Sequence, residues 1–212
     1  MKPDKNSPEF AKAISVEEMR LSDAYTIANI TDSKTLMYRA AMGIYDNMDK
    51  HGKNIAIVCG SGNNGGDGYA LAGILADNGI MPHIYRVSDK FSEDGLYYCK
   101  IAEEKNVEIY TFSQDSDFSA YDTVVDCILG TGFEGTPRGN VAEAIKKINS
   151  SGAYVVSADI NSGLNGDTGE AVLAVKSDLT VSIGFYKKGM FTGEAPKLIG
   201  ELVNTDIGIQ LI

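Results

Sequence analysis

A run of glycine, asparagine and aspartate follows the apolar segment 55–59 and has the composition of a ligand-binding turn. It reads Gly60-Ser61-Gly62-Asn63-Asn64-Gly65-Gly66-Asp67-Gly68, with a helical pattern from about Gly66. Glycines let the backbone approach a ligand closely, and free N–H groups at a helix start attract an anion. The G-x-G-x-x-G spacing alone supports a dinucleotide fold only weakly. Asp67 would repel a bare phosphate, so we interpret it as a partner for ribose hydroxyls or a cap; a purely structural turn is the alternative.

A second glycine-rich run follows the apolar segment 123–129, and that segment contains a carboxylate, Asp126. The run reads Gly130-Thr131-Gly132-Phe133-Glu134-Gly135-Thr136. An ionised carboxylate is seldom fully buried without a cation or strong hydrogen bonds, so Asp126 is a candidate site residue. A structural carboxylate that accepts hydrogen bonds from nearby amides is the alternative interpretation.

A third polar segment, 159–164, begins with Asp159 and follows the apolar segment 154–158. Ligands of parallel α/β sheets bind at the carboxyl ends of the strands, so the three polar segments are predicted to face one crevice. Asp159 then lies where a catalytic acid or base would meet a ligand.

Helices and strands in alternation must position these segments. A capping box at Ser15 starts a first helix, and a second apolar helical stripe runs from Leu36 to Met48. The apolar stripe of the first helix consists of Val16, Met19, Ala24 and Ile27. We expect both stripes to pack in the core or between subunits. Strand candidates at 55–59, 83–87, 107–112, 123–129, 154–158, 179–183 and 202–204 alternate with further helical patterns. This order predicts an α/β fold with a mostly parallel sheet covered on both faces, formed by residues 1–212 as one domain.

Composition narrows the possible partners and the compartment. A formal net charge of −10 repels nucleic acid and anionic membranes. The first residues lack the apolar region of a signal peptide, and no segment approaches the ~18 apolar residues of a membrane span. Three widely spaced cysteines in apolar segments indicate free thiols in a reducing compartment, so we expect a cytoplasmic protein. Neither His51 nor His83 has a metal-ligating neighbour, so zinc is not expected.

The three polar segments together resemble the YjeF N-terminal domain family, the NAD(P)HX epimerases. The segments 63–68, 126–132 and 159–164 have the order and spacing of that family, and the resemblance covers nearly the whole chain. The run Asn-Asn-Gly-Gly-Asp-Gly is its most specific part. The family implies a Rossmann-like three-layer αβα fold, usually dimeric. It also implies interconversion of the R and S forms of hydrated NADH and NADPH (NADHX and NADPHX) at C6 of the nicotinamide ring.

The resemblance also implies roles for the matched positions. Substrate-binding positions would be Asn63, Asn64, Gly65, Gly66, Asp67, Gly130, Thr131, Gly132, Phe133, Glu134, Gly135, Thr136 and Asp159. Asn64, Asp126 and Ser162 match positions that bind a potassium ion in the family. Asp159 is the candidate acid–base residue, with Lys187 as its charge partner or, equally, a solvated surface lysine. Family members are often fused to a dehydratase that consumes the S form. No such domain fits in 212 residues, so a separate dehydratase is the expected partner.

The chain departs from the family pattern at four positions, and two other functions stay open. Tyr38 and Ala41 stand where Glu and Gly are common, while Asn161 and Lys188 replace proline. One alternative is a nicotinamide-dependent oxidoreductase, with Asp89 as a loose candidate for the ribose-binding acid. No hydride-transfer motif supports it. The other is a non-catalytic nucleotide-binding or scaffold module of the same family, which the intact Asp126 and Asp159 disfavour.

Overall fold

A seven-stranded parallel sheet runs through residues 1–48 and 54–212, which the computed structural model describes. Its strands are β1 (Ile55–Cys59), β2 (His83–Arg86), β3 (Glu108–Thr111), β4 (Thr123–Cys127), β5 (Tyr154–Ala158), β6 (Ser177–Ile183) and β7 (Ile199–Thr205). Every neighbouring pair is parallel, in the order β3-β2-β1-β4-β5-β6-β7. The predicted α/β class is confirmed, and the last two strands extend the same sheet.

Helices cover both faces of this sheet. They are α1 (Val16–Asn29), α2 (Ser33–Asn47), α3 (Asn63–Asp77), α4 (Glu93–Glu104), α5 (Gly139–Asn149) and α6 (Ala195–Leu198). On one face, α2, α3 and α4 pack on the strands, and Ile44 of α2, Leu71 of α3 and Val125 of β4 belong to the same apolar cluster. On the other face, Ile145 of α5 packs on Val124. Both faces of β1 and β4 are therefore buried, which explains their continuous apolar sequence.

The strands β1, β4 and β5 end side by side, which places their following turns at one edge of the sheet. Val58 lies beside Asp126, and Asp126 lies beside Ser157. The chain leaves β1 through Gly60, where a Cβ atom would lie only 1.8 Å from the carbonyl oxygen of Ile128. Glycine is therefore required for the turns after β1 and β4 to lie this close together.

Two local predictions were wrong. Helix α3 begins at Asn63 rather than near Gly66, so the glycine run forms its first turn. In α1, Ala24 is exposed and the buried residues are Ser22 and Thr26, so its predicted apolar stripe does not form a core face, while packing of this stripe between subunits stays a prediction. The stripe of α2 does pack in the core. The prediction about His51 falls outside the described residues.

The helices of the described ranges are too short or too polar to cross a membrane. The longest, α2 and α3, each contain 15 residues.

Candidate functional site

A cleft of about 560 Å³ opens at the carboxyl ends of β1, β4 and β5. The first turn of α3, the turn after β4 and Asp159 after β5 all line it, and α1 and α2 supply its remaining walls. The structure thus brings the three polar segments of the sequence to one site.

The first turn of α3 is a potential anion site within this cleft. Gly62, Asn63 and Asn64 line the cleft, and no side chain of residues 1–48 or 54–212 caps the helix, so its first N–H groups are open to a ligand. Gly65 and Gly66 lie behind this wall. A Cβ atom would lie 2.1 Å from the Gly60 carbonyl oxygen at Gly65, and 2.4 Å from Met37 Cε at Gly66. These two glycines allow the close packing that holds the helix start in place.

Three hydrogen bonds join the polar segments to one another. Asn64 Nδ2 donates to the Leu129 carbonyl oxygen at 2.9 Å, and Leu129 N donates to Ser162 Oγ at 2.8 Å. Ser162 N then donates to Asp126 Oδ2 at 2.9 Å. The other amide atom of Asn64, Oδ1, is buried and has no hydrogen-bond partner in the described part of the chain. This oxygen can accept a proton donor or contact a cation.

Asp126 is completely buried within β4, and the protein itself supplies its partners. Its carboxylate accepts hydrogen bonds from Ser157 Oγ at 2.9 Å, Ile128 N at 3.3 Å and the backbone N and hydroxyl of Ser162. Burial raises the pKa of Asp126, and these hydrogen bonds, the Ser162 hydroxyl first among them, oppose the rise. Asp126 therefore anchors Ser162 beneath the cleft rather than lining the cleft.

Asp159 occupies a strained backbone position at the end of β5. Its φ angle is +62°, and Ile160 N donates to the Ala158 carbonyl oxygen at 2.8 Å, so Asp159 is the central residue of a γ-turn. Aspartate tolerates this left-handed region better than most residues with a Cβ atom. Its carboxylate accepts a hydrogen bond from Ile183 N at 3.2 Å and faces the cleft. The strained turn directs the carboxylate toward the site.

Lys187 is buried, so the interpretation as a solvated surface lysine is wrong. Its side chain is 1% exposed, and its ammonium group forms an ion pair with Asp159. The same Nζ donates to the Ile183 carbonyl oxygen at 2.9 Å and to Ser182 Oγ at 3.5 Å. Lys187 thus holds the Asp159 carboxylate from beneath the cleft.

Two further carboxyl groups, Asp67 and Asp23, lie in the electrostatic field of this ion pair and line the same cleft. Burial raises the pKa of Asp67 well above its usual range; the charges of Asp159 and Asp23 add to the rise, and Lys187 opposes it. Burial and the Asp159 charge also raise the pKa of Asp23, again against Lys187. The Lys187 ammonium thus opposes the rise in the pKa of both Asp67 and Asp23 without cancelling it.

The predicted site residues fall into three sets. Those that line the cleft are Asn63, Asn64, Asp67, Gly130, Thr131, Gly132, Phe133 and Asp159. Those buried behind its wall are Gly65, Gly66, Asp126, Ser162 and Lys187. Those exposed beyond it are Glu134, Gly135 and Thr136. Sequence reasoning missed Arg20 and Asp23 of α1, which also line the cleft. Their helical spacing places them on the same side of α1 as Val16, but spacing alone does not show that this side borders the cleft.

Asn161, which replaces a proline of the family pattern, forms a buried hydrogen-bond network. Its Nδ2 donates to the Val175 carbonyl oxygen at 2.9 Å and to Ser177 Oγ at 3.0 Å, and its Oδ1 accepts from Thr180 Oγ1 at 2.6 Å. The network fixes the turn between Asp159 and Ser162 by hydrogen bonds. At the other departures, Tyr38 is exposed, Ala41 is buried and Lys188 pairs with Glu18.

The parallel sheet and the cleft at its carboxyl edge define a Rossmann-like α/β protein, a class whose ligands bind at this edge. Within that class, the chain belongs to the family described as YjeF-related protein N-terminus, which matches residues 33–189.

Two relatives agree with this membership, and a solved structure shares the fold. The NAD(P)H-hydrate epimerase of Lentilactobacillus buchneri is 38% identical over 208 residues, which cover 94% of this chain and 96% of the relative. That of Oenococcus oeni is 35% identical over 204 residues, 92% of this chain and 96% of the relative. The crystal structure of yeast ynu0, YNL200c, has the same fold, with a TM-score of 0.72 at 19% identity over 91% of this chain and 87% of that one.

Proposed function

We propose that this protein is an NAD(P)H-hydrate epimerase that interconverts the R and S forms of NADHX and NADPHX. The observation that carries the proposal is the buried Lys187–Asp159 ion pair, whose carboxylate faces the same cleft as the uncapped start of α3. The helix start would bind the phosphates of a dinucleotide, leaving its hydrated ring to reach Asp159. The two epimerase relatives match more than nine-tenths of the chain, which supports this assignment.

Epimerisation at C6 requires that the hydroxyl leave one face of the ring and that water return to the other. The lone pair of the ring nitrogen forms a C=N bond as the C6–O bond breaks, and it returns to nitrogen as water adds. One proton must reach the departing hydroxyl and one must leave the entering water. Asp159 is the acid–base residue in this scheme because it lines the cleft, and Lys187 fixes the position and charge of its carboxylate.

The two glycine-rich segments, residues 63–67 and 130–136, would hold the rest of the dinucleotide. Gly130 to Phe133 also line the cleft, and Gly130 lies beside Asn64, whose Cβ atom is 3.4 Å from the position of a Cβ at Gly130. Glu134 to Thr136 are exposed beside the cleft and would contact the substrate at its outer end.

A potassium ion is the proposed cofactor, held by Asn64, Asp126 and Ser162. The buried Oδ1 of Asn64 lacks a partner in the described ranges, and the three side chains offer only oxygen ligands, which suits a hard cation. The backbone of Leu129, which is hydrogen-bonded to both Asn64 and Ser162, connects these proposed ligands to the cleft wall. A bound cation would supply positive charge next to the start of α3.

The protein would act as a cytoplasmic homodimer with a separate dehydratase as its partner enzyme. Leu21 and Tyr25 of α1 and Ile30, which follows it, are exposed, and an apolar surface of this kind suits a second copy of the chain. The bifunctional NAD(P)H-hydrate repair enzyme Nnr of Coxiella burnetii is 34% identical over 161 residues, which cover 74% of this chain and 33% of that enzyme. Its two functions in one chain support a dehydratase that works in sequence with this epimerase. The free, buried cysteines are consistent with a reducing compartment.

The oxidoreductase alternative has less support. Asp89, its candidate ribose ligand, is largely exposed and pairs with Arg86 at 3.3 Å, outside the residues that line the cleft. The non-catalytic module would need no buried ion pair beneath its ligand.

The test is chromatography of purified R-NADHX incubated with the protein, with and without potassium, against the spontaneous reaction. Rapid approach to an R/S mixture is expected, and Asp159→Ala should lower turnover by ~10²–10⁴-fold while NADH binding changes little. Binding without acceleration would favour the non-catalytic module, and near-wild-type turnover of Asp159→Ala would remove this residue from the mechanism.

A further inference from the structure

One face of α1 forms a wall of the cleft, and Asp23 is the carboxylate on that face. The cleft-lining residues of α1 are Val16, Met19, Arg20, Asp23 and Ile27, which recur every three or four positions. This spacing places them on one side of the helix. Asp23 therefore reaches the cleft from α1, whereas Asp159 reaches it from the end of β5.

The position of Asp23 is fixed by contacts at both ends of α1. At the start, Ile14 N donates to the Tyr186 carbonyl oxygen at 2.9 Å, directly beside Lys187, and Val16 N donates to Asp167 Oδ1 at 2.8 Å. Farther along, the buried hydroxyls of Ser22 and Thr26 accept hydrogen bonds from the backbone of residues 212 and 210. Because Ser22 faces this segment, its neighbour Asp23 is held toward the cleft.

No contact among the described residues accounts for the position of the Asp23 carboxyl group. It is half-buried, and no hydrogen bond or ion pair joins it to another residue within ranges 1–48 and 54–212. The charges that act on it are Asp67 on α3 and the Asp159–Lys187 pair, and the other charged residues that line the cleft are Arg20 on its own helix and Asp94 at the start of α4. Arg20 is engaged by Glu17 at 2.7 Å. Burial and the Asp159 charge raise the pKa of Asp23, and Lys187 forms its ion pair with Asp159 rather than with Asp23.

The proposed reaction needs a proton carrier on each face of the ring, because the hydroxyl leaves one face and water enters the other. A carboxyl group on one wall of a cleft can reach only the face turned toward it. We propose that Asp23 is a second catalytic acid–base residue, which acts on one face of the hydrated nicotinamide ring while Asp159 acts on the other. This inference rests on the proposed epimerase function.

The proton transfers balance as follows in one direction. Neutral Asp23 donates its proton to the C6 hydroxyl, the C6–O bond breaks, water leaves, and the nitrogen lone pair forms the C=N bond. A second water adds to C6 from the opposite face, its proton passes to the Asp159 carboxylate, and the C=N electron pair returns to nitrogen. Asp23 is then ionised and Asp159 neutral, which is the state that starts the reverse direction, and exchange with solvent restores the first state.

The test compares Asp23→Asn and Asp23→Glu with the wild type and with Asp46→Asn, an exposed carboxylate of α2 outside the cleft. R-NADHX turnover is followed by chromatography from pH 5 to 9, NADH binding by calorimetry, and folding by the urea midpoint. We expect Asp23→Asn to lose ~10²–10⁴-fold in kcat, with NADH binding and the urea midpoint nearly unchanged. It should also lose one limb of the pH profile of kcat/KM, and Asp23→Glu should restore that limb with partial activity.

The outcomes separate this inference from the function on which it rests. A wild type that does not accelerate epimerisation would overturn both. An active wild type with Asp23→Asn within tenfold of its kcat, or with both limbs of the pH profile intact, would overturn the role of Asp23 alone. If Asp23→Asn did not fold, Asp23→Glu would decide, because a purely structural role predicts a changed urea midpoint and an unchanged pH profile.

Discussion

Replacement of Lys187 by methionine should destabilise the protein, because it leaves the Asp159 carboxylate beside a buried apolar group. The side chain of Lys187 is 1% exposed and that of Asp159 17%. Removal of one partner from a buried pair costs about 3–5 kcal/mol. Since Asp159 keeps the Ile183 N–H and some contact with water, we expect the lower end, about 3 kcal/mol. For a chain of this length, that loss corresponds to a decrease in Tm of roughly 6–12 °C.

Urea unfolding followed by circular dichroism at pH 7 measures this loss. Lys197→Met is the matched control, because Lys197 pairs with Glu194 while 73% exposed and should change the free energy of unfolding by less than ~1 kcal/mol. The double variant Asp159→Asn/Lys187→Met removes both charges and should recover part of the loss. If Lys187→Met cost no more than the control, the ion pair could not be desolvated as the structure shows, and the electrostatic account of Asp159 would fail.

Three further predictions concern the start of α3. Asp67→Asn should stabilise the protein at pH 8 and leave its stability nearly unchanged near pH 4. Burial raises the pKa of the Asp67 carboxyl in the folded protein, whereas aspartate in the unfolded chain titrates near ~3.9. The stability of the wild type is therefore lost as the pH rises through the pKa of the folded state. Urea titrations at both pH values check this, and equal differences would contradict it. Gly65→Ala should cost about 3 kcal/mol or prevent folding, because its Cβ atom would lie 2.1 Å from the backbone oxygen of Gly60. The control Gly73→Ala should be neutral or stabilising, because its Cβ atom would lie 3.7 Å from its nearest neighbour. A higher Tm for Gly65→Ala than for Gly73→Ala would refute the packing argument. Potassium at ten times its dissociation constant should stabilise the wild type by about 1.4 kcal/mol and should stabilise Asn64→Ala by much less. Thermal unfolding in potassium, compared with unfolding in the same concentration of lithium, measures both shifts. Equal shifts in the two proteins would exclude Asn64 as a ligand.

The sequence predicted the convergence of three polar segments because parallel strands share one polarity. Once 55–59, 123–129 and 154–158 were interpreted as parallel strands, Asn64, Gly130 and Asp159 had to follow at one edge of the sheet. The surroundings of Lys187 could not be predicted in the same way. Its burial depends on Ile14, which bridges to it from 173 positions away (187 − 14), and no local pattern contains that information.

The prediction that the apolar stripe of α1 forms a core face failed for a physical reason, which also explains the mixed composition of this helix. A local pattern assumes that a helix buries an apolar face, yet α1 buries the hydroxyls of Ser22 and Thr26 against the backbone of residues 210–212. A second face, with Asp23, borders the cleft, and the third exposes Leu21 and Tyr25. Three surroundings around one helix leave no single apolar stripe, so periodicity alone could not orient it. Because the contacts that orient α1 are all long-range, the wall that carries Asp23 forms only when the segments around 14, 187 and 210 have come together. The end of the cleft that carries Asp23 and Asp159 is therefore a property of the completed fold, whereas its glycine-rich end is encoded locally.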